Sequence, residues 1–255
     1  MDKLNSWQPN KFNTQDRFQI AEEIYNELLS KYKDNLISVA IEGSTAKGMD
    51  CPESDLELRV IVKERESGWY PFFYKGMFVG ISFSTIENMK SKAKNIDIEW
   101  SVKSDSLFTC KVIYDPTNLY ENLRENAKEV EEQADFDMLI KDAMADMFEH
   151  VYKVFTLKDT DTMLAAQEAR QVAYWATICV GLKNKHKFLS SRTMYNDSFK
   201  LNSLPHRFEQ NIRRILSLNT DVQTLKNNVG ELWASTHSWA DKFDVRLEKM
   251  DLSFL

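Results

Sequence analysis

The chain has 255 residues, of which 43% are hydrophobic and 28% charged, the composition of a globular protein with one large domain or two small ones. Its net charge of −6 argues against nucleic acid as the main partner, because binding a phosphate backbone needs a basic stripe. The three cysteines form no Cys-x-x-Cys pair, so we expect a reduced cytoplasmic compartment. The segment 1–6 lacks the apolar core of a signal peptide, and no apolar run is long enough to span a bilayer, so we expect no membrane partner.

The first half of the chain alternates between helix and strand patterns. A helix is predicted over 15–31, with Asn13 or Thr14 as its cap, because apolar residues recur there at helical spacing. Five strands are predicted from apolar and β-branched runs, at 36–42, 55–63, 69–74, 77–83 and 107–114. The third and fourth form a hairpin around Lys75-Gly76, and two more helices are predicted at 85–94 and 116–127.

The second half shows helix patterns only. Strand signals end at the acidic stretch 128–132, and long amphipathic helices are predicted at 136–155, 160–182 and 222–243. This order predicts the α+β class. An N-terminal domain, 1–128, would carry a mixed β-sheet flanked by helices, and a C-terminal helical bundle domain, 129–255, would follow it.

Gly43-Ser44 lies where the first predicted strand ends and precedes a short segment that carries Lys47. A glycine lets backbone N–H groups approach a phosphate closely, and the serine hydroxyl and the lysine charge add to such a site. A Gly-Ser pair is also common in ordinary turns, so this pair alone is weak evidence.

Asp55 and Glu57 open the second predicted strand. Because side chains alternate along a strand, the two carboxylates share one face, with their backbones about 7 Å apart. They repel each other, and a cation between them would relieve that repulsion. Mg²⁺ suits such a pair, since it takes one or two carboxylates and completes its coordination with water and phosphates. A solvated strand face is the alternative, but the order strand, Gly-Ser, helix, Asp-x-Glu, strand favours a phosphate and metal site.

A second group of charged residues recurs on the helix predicted at 136–155. Asp142, Asp146, Glu149 and Lys153 follow one another at spacings of four, three and four, which places them on one helix face. From the residues alone, a solvated face with an ion pair between Glu149 and Lys153 is the favoured interpretation.

Gly43-Ser44 followed by Asp55-Leu56-Glu57 resembles the signature of the DNA polymerase beta-like nucleotidyltransferases. The kanamycin (aminoglycoside 4′) nucleotidyltransferases are the branch it resembles most. The resemblance continues along the chain through Ile113-Tyr114-Asp115, Phe148-Glu149, Lys153, Ser203-Leu204-Pro205 and the pair Trp233 and Trp239.

The resemblance implies a Mg²⁺-dependent enzyme that transfers AMP from ATP to a hydroxyl of an aminoglycoside-like molecule and releases pyrophosphate. It also implies a homodimer with active sites at the subunit interface. The implied roles are metal binding by Asp55 and Glu57, nucleotide binding by Gly43, Ser44, Lys47 and Lys153, proton abstraction by Glu149, and contact with the acceptor by Asp146.

The chain departs from the family pattern at three positions. Lys47 stands where the family has arginine, which removes a bidentate grip on phosphate. Gly80 falls where the family carries a third carboxylate, and Ala145 replaces an acid next to Asp146. These departures leave two alternatives open. One is a degenerate nucleotide-binding protein on the same fold; the other is an enzyme with another acceptor, such as a lincosamide, another sugar alcohol or a protein hydroxyl.

The histidines and tryptophans are assigned to the structure of the protein. The four histidines show no metal-ligand spacing, and we expect them to be structural. The following tryptophans are predicted to lie in the core, with the alternative that one of them stacks on adenine or lines a sugar pocket: Trp69, Trp100, Trp175, Trp233 and Trp239.

Overall fold

The computed structural model describes residues 8–217 and 220–247, so the segment 1–6 examined for a signal peptide lies outside the described residues. Within that part of the chain the fold is α+β: strands and helices mix in the first half, and helices alone follow. No helix of the described residues has the length and apolar character needed to cross a bilayer.

Five strands and eleven α-helices form within the described residues. The strands are β1 (Leu36–Glu42), β2 (Leu56–Val62), β3 (Gly68–Tyr74), β4 (Met77–Thr85) and β5 (Lys111–Tyr114). The first six helices are α1 (Thr14–Tyr32), α2 (Gly43–Lys47), α3 (Ile86–Lys94), α4 (Trp100–Lys103), α5 (Asp105–Thr109) and α6 (Leu119–Gln133). The remaining helices are α7 (Phe136–Thr156), α8 (Thr162–Lys183), α9 (Met194–Ser198), α10 (Phe208–Leu216) and α11 (Val222–Asp241).

The described residues divide into two compact units. The first comprises 8–95 and 106–133, and the second comprises 96–105 and 134–247. The domain boundary expected after residue 128 falls inside α6, which continues to Gln133. The short segment 96–105 belongs to the second unit because Trp100 is buried in its core, where it packs on Phe136.

The first unit is built on one mixed sheet with strand order β3-β4-β2-β1-β5. The pairing of β2 with β4 is parallel, and the other pairings are antiparallel. One sheet face packs on the apolar stripe of α1, and the other packs on residues of α3 and α6. The second unit is a helical bundle whose core is formed mainly by α7, α8, α10 and α11.

The strand predicted at 107–114 is wrong in its first half. Residues Asp105–Thr109 form the short helix α5, and the strand β5 begins only at Lys111. The Cys110 N–H donates to the Ser106 carbonyl, so the backbone is still turning where an extended strand was expected. The apolar residues Leu107 and Phe108 instead pack against the core beneath α3 and α6.

Candidate active site

The end of β1 brings a glycine directly under a carboxylate. Gly43 has a φ of +65°, which a residue with a side chain rarely adopts. A Cβ at this position would overlap Glu57 Oε2 and lie 3.0 Å from its Cδ. The Glu57 carboxylate therefore rests against the Gly43 backbone, and the Gly-Ser corner and the Asp-x-Glu strand meet as the sequence predicts.

Glu57 lies in an excess of negative charge. It is paired directly with Glu42 across β1 and β2, an arrangement of like charges that destabilises a sheet. Partial burial of the carboxylate, followed by the charges of Asp55 and Glu42, raises the pKa of Glu57 above its ordinary value of 4.5. The positive charges of Lys47 and Arg59 act in the opposite direction without cancelling this rise.

Arg59 forms an ion pair with Glu42 rather than with Glu57. Its guanidinium makes an ion pair with Glu42, with 2.9 Å between Nη2 and Oε2, and its Nη1 donates to the Ser84 hydroxyl at 3.3 Å. Both side chains of the ion pair are largely buried. Glu57 in contrast stays exposed over much of its side chain, so it is not enclosed in an interior salt bridge.

Asp55 comes directly before β2, so the predicted strand 55–63 begins one residue too early, and Asp55 is half-buried. The loop that carries it is held by Arg17 of α1, a residue that the sequence analysis did not identify. The fully buried Arg17 side chain donates to the carbonyls of Cys51, Pro52 and Ser54 at 2.8–3.2 Å and pairs with Asp50 at 3.1 Å.

A signal for Arg17 was present in the sequence. Arg17 lies on the same helical stripe as Ile20, Ile24 and Leu28, which are all buried. A charged residue on the apolar face of an amphipathic helix needs a polar partner inside the protein. Here that partner is the loop before Asp55.

Ser44 and Lys47 lie in the five-residue helix α2, and both are half-buried. The residue before the helix, Glu42, provides no side-chain cap for it. The first N–H groups of a helix lack intrahelical partners and favour an anion. Lys47 is near enough to lower the pKa of Glu57, so its charge is directed towards the carboxylates.

Gly80, the position that the resemblance assigns to a third carboxylate, lies beside Glu57 in the sheet. Gly80 of β4 is the direct neighbour of Glu57 in the parallel ladder, and β4 contains no acidic residue. A Cβ on Gly80 would lie 2.6 Å from Trp69 Nε1 and 3.2 Å from its Cε2. The indole of Trp69 therefore covers the site where that carboxylate would stand.

The assignment of Trp69 to the core is wrong, because 58% of this residue is exposed. It lies on the outer face of the edge strand β3, whereas Phe72 and Tyr74 point to the core face. Trp100 and Trp239 are buried as expected, and Trp175 and Trp233 pack at the margin of the second core.

The charged residues of α7 lie on the outer face of that helix, as their spacing predicts. Glu149 and Lys153 are exposed and form an ion pair with 2.7 Å between Oε1 and Nζ, and Asp146 is half-buried. The hydrogen bond from Lys153 and its charge lower the pKa of Glu149. Glu149 is therefore ionised at neutral pH and can accept a proton.

One histidine near this face has a partner that the sequence did not reveal. His150 Nδ1 lies 2.6 Å from Glu168 Oε2, and the contact joins α7 to α8. Phe148 of the same helix packs on Trp233 of α11, with ring centroids 4.8 Å apart. The helix that carries Glu149 is therefore held in place by contacts with two neighbouring helices.

The corner of the first unit has a donor set that fits one Mg²⁺ ion. Among the described residues, no three His, Cys, Asp or Glu side chains converge as metal ligands. Mg²⁺ nevertheless needs only one or two carboxylates when water and phosphates complete its octahedron. Burial, followed by the charges of Asp55 and Glu42, raises the pKa of Glu57, and a cation at this corner would favour the ionised carboxylate.

Comparison with known proteins gives consistent results. The family model described as the KNTase C-terminal domain matches residues 117–246, or 130 of the 255 residues. Two proteins named aminoglycoside nucleotidyltransferase (4'), from Staphylococcus aureus and from Bacillus sp, are each 22% identical over 231 residues, covering 89% of this chain and 91% of the relative. A nucleotidyltransferase-like protein from Exiguobacterium sibiricum 255-15 is similar in fold, with a TM-score of 0.53 at 9% identity over 88% of this chain and 74% of that one.

Proposed function

The chain belongs to the family of the KNTase C-terminal domain, that of the kanamycin (aminoglycoside 4′) nucleotidyltransferases, and we propose that it is a nucleotidyltransferase of the same type. In this proposal it transfers AMP from ATP to a hydroxyl of an aminoglycoside-like small molecule and releases pyrophosphate. The observation that carries the proposal is the Glu57 carboxylate resting against Gly43, with Asp55 near enough to raise its pKa.

Asp55 and Glu57 would hold Mg²⁺. Bound there, the ion would neutralise negative charge on the oxygens of the triphosphate. The two residues differ in how they are supported. Glu57 is fixed within β2 and against Gly43, whereas Asp55 is placed by the loop that Arg17 holds.

The phosphates would bind at the start of α2. The N–H groups of its first turn, which have no partners within the helix, and the Ser44 hydroxyl can donate to phosphate oxygens. Lys47 adds a positive charge at the same corner. A lysine here acts as a point charge rather than as a bidentate clamp, so phosphate is held with less directional precision than by arginine.

Glu149 would take the proton from the acceptor hydroxyl, and Lys153 would contact phosphate. Lys153 keeps Glu149 ionised, which is the state that a general base needs. Asp146, on the same helix face, would contact the acceptor. We further propose a cytoplasmic homodimer with no nucleic acid or membrane partner, because the sequence resemblance implies a homodimer and the net charge of −6 does not suit a phosphate backbone.

A degenerate nucleotide-binding protein is the second candidate, and the missing carboxylate at Gly80 is the observation that favours it. Calorimetric titration of the wild type with ATP and Mg²⁺, run beside a pyrophosphate-release assay over a panel of aminoglycosides and lincosamides, separates the two. We expect binding together with acceptor-dependent release. Binding without release for every acceptor would contradict the enzyme and support the binding protein.

A further inference from the structure

The sheet face beside Glu57 is aromatic and open. Trp69 and Phe73 of β3 pair with Ser82 and Phe78 of β4, so their side chains share one face. The centroids of the Trp69 and Phe78 rings are 6.3 Å apart, and those of Phe73 and Phe78 are 5.4 Å apart. Trp69 and Phe73 are 58% and 64% exposed. We call Trp69, Phe73 and Phe78 the aromatic face.

This face is continuous with the carboxylate corner. Gly80 pairs with Glu57 on one side and with Pro71, which lies between Trp69 and Phe73, on the other. The Trp69 indole lies over Gly80 itself. A molecule that brings a hydroxyl to a phosphorus held at Glu57 therefore has the indole as its nearest neighbour on the β4 side.

We infer that the aromatic face is the binding site of the acceptor and that it selects an acceptor with an uncharged ring face. This inference rests on the proposed function. The acceptor class is a glycoside that carries an apolar group and at most one ammonium group, rather than a polycationic aminoglycoside. Trp69 and Gly80 are then the residues that determine specificity.

Charge and solvation support this assignment. None of the side chains in the aromatic face carries a charge, and the position of a third carboxylate is taken by the indole. An ammonium group loses water when it binds against apolar surface, and no charged side chain within the aromatic face compensates that loss. The uncharged face of a sugar or pyrrolidine ring loses little and gains contact with the rings. One ammonium group can still lie over the indole.

A second copy of this chain is the alternative occupant, because β3 is an edge strand. The strand carries Pro71, which lacks a backbone donor. The Trp69 indole also lies over Gly80, the direct neighbour of Glu57, which places the aromatic face beside the proposed phosphate and metal site.

The experiment is a calorimetric titration in the presence of Mg²⁺ and an α,β-methylene analogue of ATP, which prevents turnover. The probes are lincomycin, with one amine on an apolar ring system, and kanamycin, with ammonium groups on every ring. We expect wild-type protein to bind lincomycin at least about tenfold more tightly than kanamycin. Trp69→Ala should lose about tenfold in lincomycin affinity, while the affinity for the nucleotide analogue is unchanged.

Tyr70→Ala is the matched control, because it removes an exposed aromatic from the same strand but from the opposite face. It should leave lincomycin affinity within about twofold of wild type. The double variant Trp69→Ala/Gly80→Glu restores a carboxylate and removes the indole that would collide with it. It should reverse the preference towards kanamycin.

Tighter kanamycin binding by the wild type, no binding of either probe, or unchanged affinity in Trp69→Ala would overturn the inference. So would a loss of affinity that follows dissociation of a dimer in analytical ultracentrifugation at the same concentrations. Failure of the proposed function looks different. In that case no acceptor supports AMP transfer by the wild type, whatever the effect of Trp69→Ala on binding.

Discussion

Burial and neighbouring carboxylates make the ionised form of Glu57 unfavourable in the folded protein. Its pKa is raised, so the folded protein holds this proton to a higher pH than the unfolded chain does. The contribution of Glu57 to stability therefore falls as pH rises from 4.5 towards the folded-state pKa, and its full cost is present above that value. Below 4.5 the residue is protonated in both states and costs nothing.

Glu57→Gln should accordingly raise the melting temperature at neutral pH without Mg²⁺, and the gain should disappear below pH 4.5. Mg²⁺ should stabilise the wild type, by about 1.4 kcal/mol at ten times its Kd, and should have little effect on the variant. Calorimetric melting curves at several pH values, with and without MgCl2, measure both effects. Glu66→Gln, an exposed residue in the first unit, is the control and should show neither.

Gly43 and Gly48 form a matched pair for testing the contact with Glu57. Both have φ near +65°, so alanine costs about 1–2 kcal/mol in backbone strain at either position. Only at Gly43 would the new Cβ collide with the Glu57 carboxylate, while nothing lies within 4 Å at Gly48. We expect Gly43→Ala to be the more destabilising in urea unfolding and to weaken binding of Mg²⁺ and ATP. Equal effects of the two variants would show that Glu57 does not rest on Gly43.

At the scale of elements, α1 positions the loop before β2 through one side chain. Arg17 is fully buried, so its removal leaves Asp50 and several carbonyls without their partner. Arg17→Met should cost about 3–5 kcal/mol and increase hydrogen exchange in residues 48–55. Arg214→Met breaks an exposed ion pair with Glu231 and should cost under about 1 kcal/mol. Wild-type protection of residues 48–55 from hydrogen exchange in Arg17→Met would show that Arg17 does not position this loop.

Element boundaries were predicted well where the pattern is local. The strand 36–42 agrees with β1 at both ends, and α7 and α8 begin or end within two residues of the predicted positions. The strand predicted at 107–114 was wrong in its first half, because apolar residues can reach the core from a helical turn as well as from a strand. The predicted burial of Trp69 was wrong for another reason. An aromatic side chain on an edge strand can point to either face of the sheet, and only the strand pairing shows which face is exposed to solvent.

At the scale of the whole molecule, the units are not simple halves of the sequence. Trp100 is encoded in the first half but is buried in the second unit, where Ser101 also accepts a hydrogen bond from the Phe188 N–H at 2.7 Å. No local pattern predicts such an exchange of a ten-residue segment, because the partners lie far apart in the sequence. The meeting of Gly43 with Glu57 could be predicted, since both flank the same short loop.

Trp100→Ala should destabilise the second unit by about 3–5 kcal/mol, the cost of emptying a buried tryptophan site. Hydrogen exchange should rise in α7 and α8 before it rises in β1 and β2. Trp69→Ala is the control, because most of that side chain is exposed, and it should leave exchange in both units near the wild-type level. Uniform loss of protection in both units would contradict the division.

The most direct measurement of the central claim follows labelled AMP from α-labelled ATP to an acceptor, with Mg²⁺, in wild type and Asp55→Asn. We expect acceptor-dependent product with wild type and a loss of at least about a hundredfold in Asp55→Asn, whose melting temperature without Mg²⁺ should be no lower than that of wild type. Asp34→Asn, an exposed substitution in the first unit, should keep wild-type activity. Full transfer by Asp55→Asn would contradict the assignment of the metal site, and no transfer by wild type to any acceptor would contradict the enzyme.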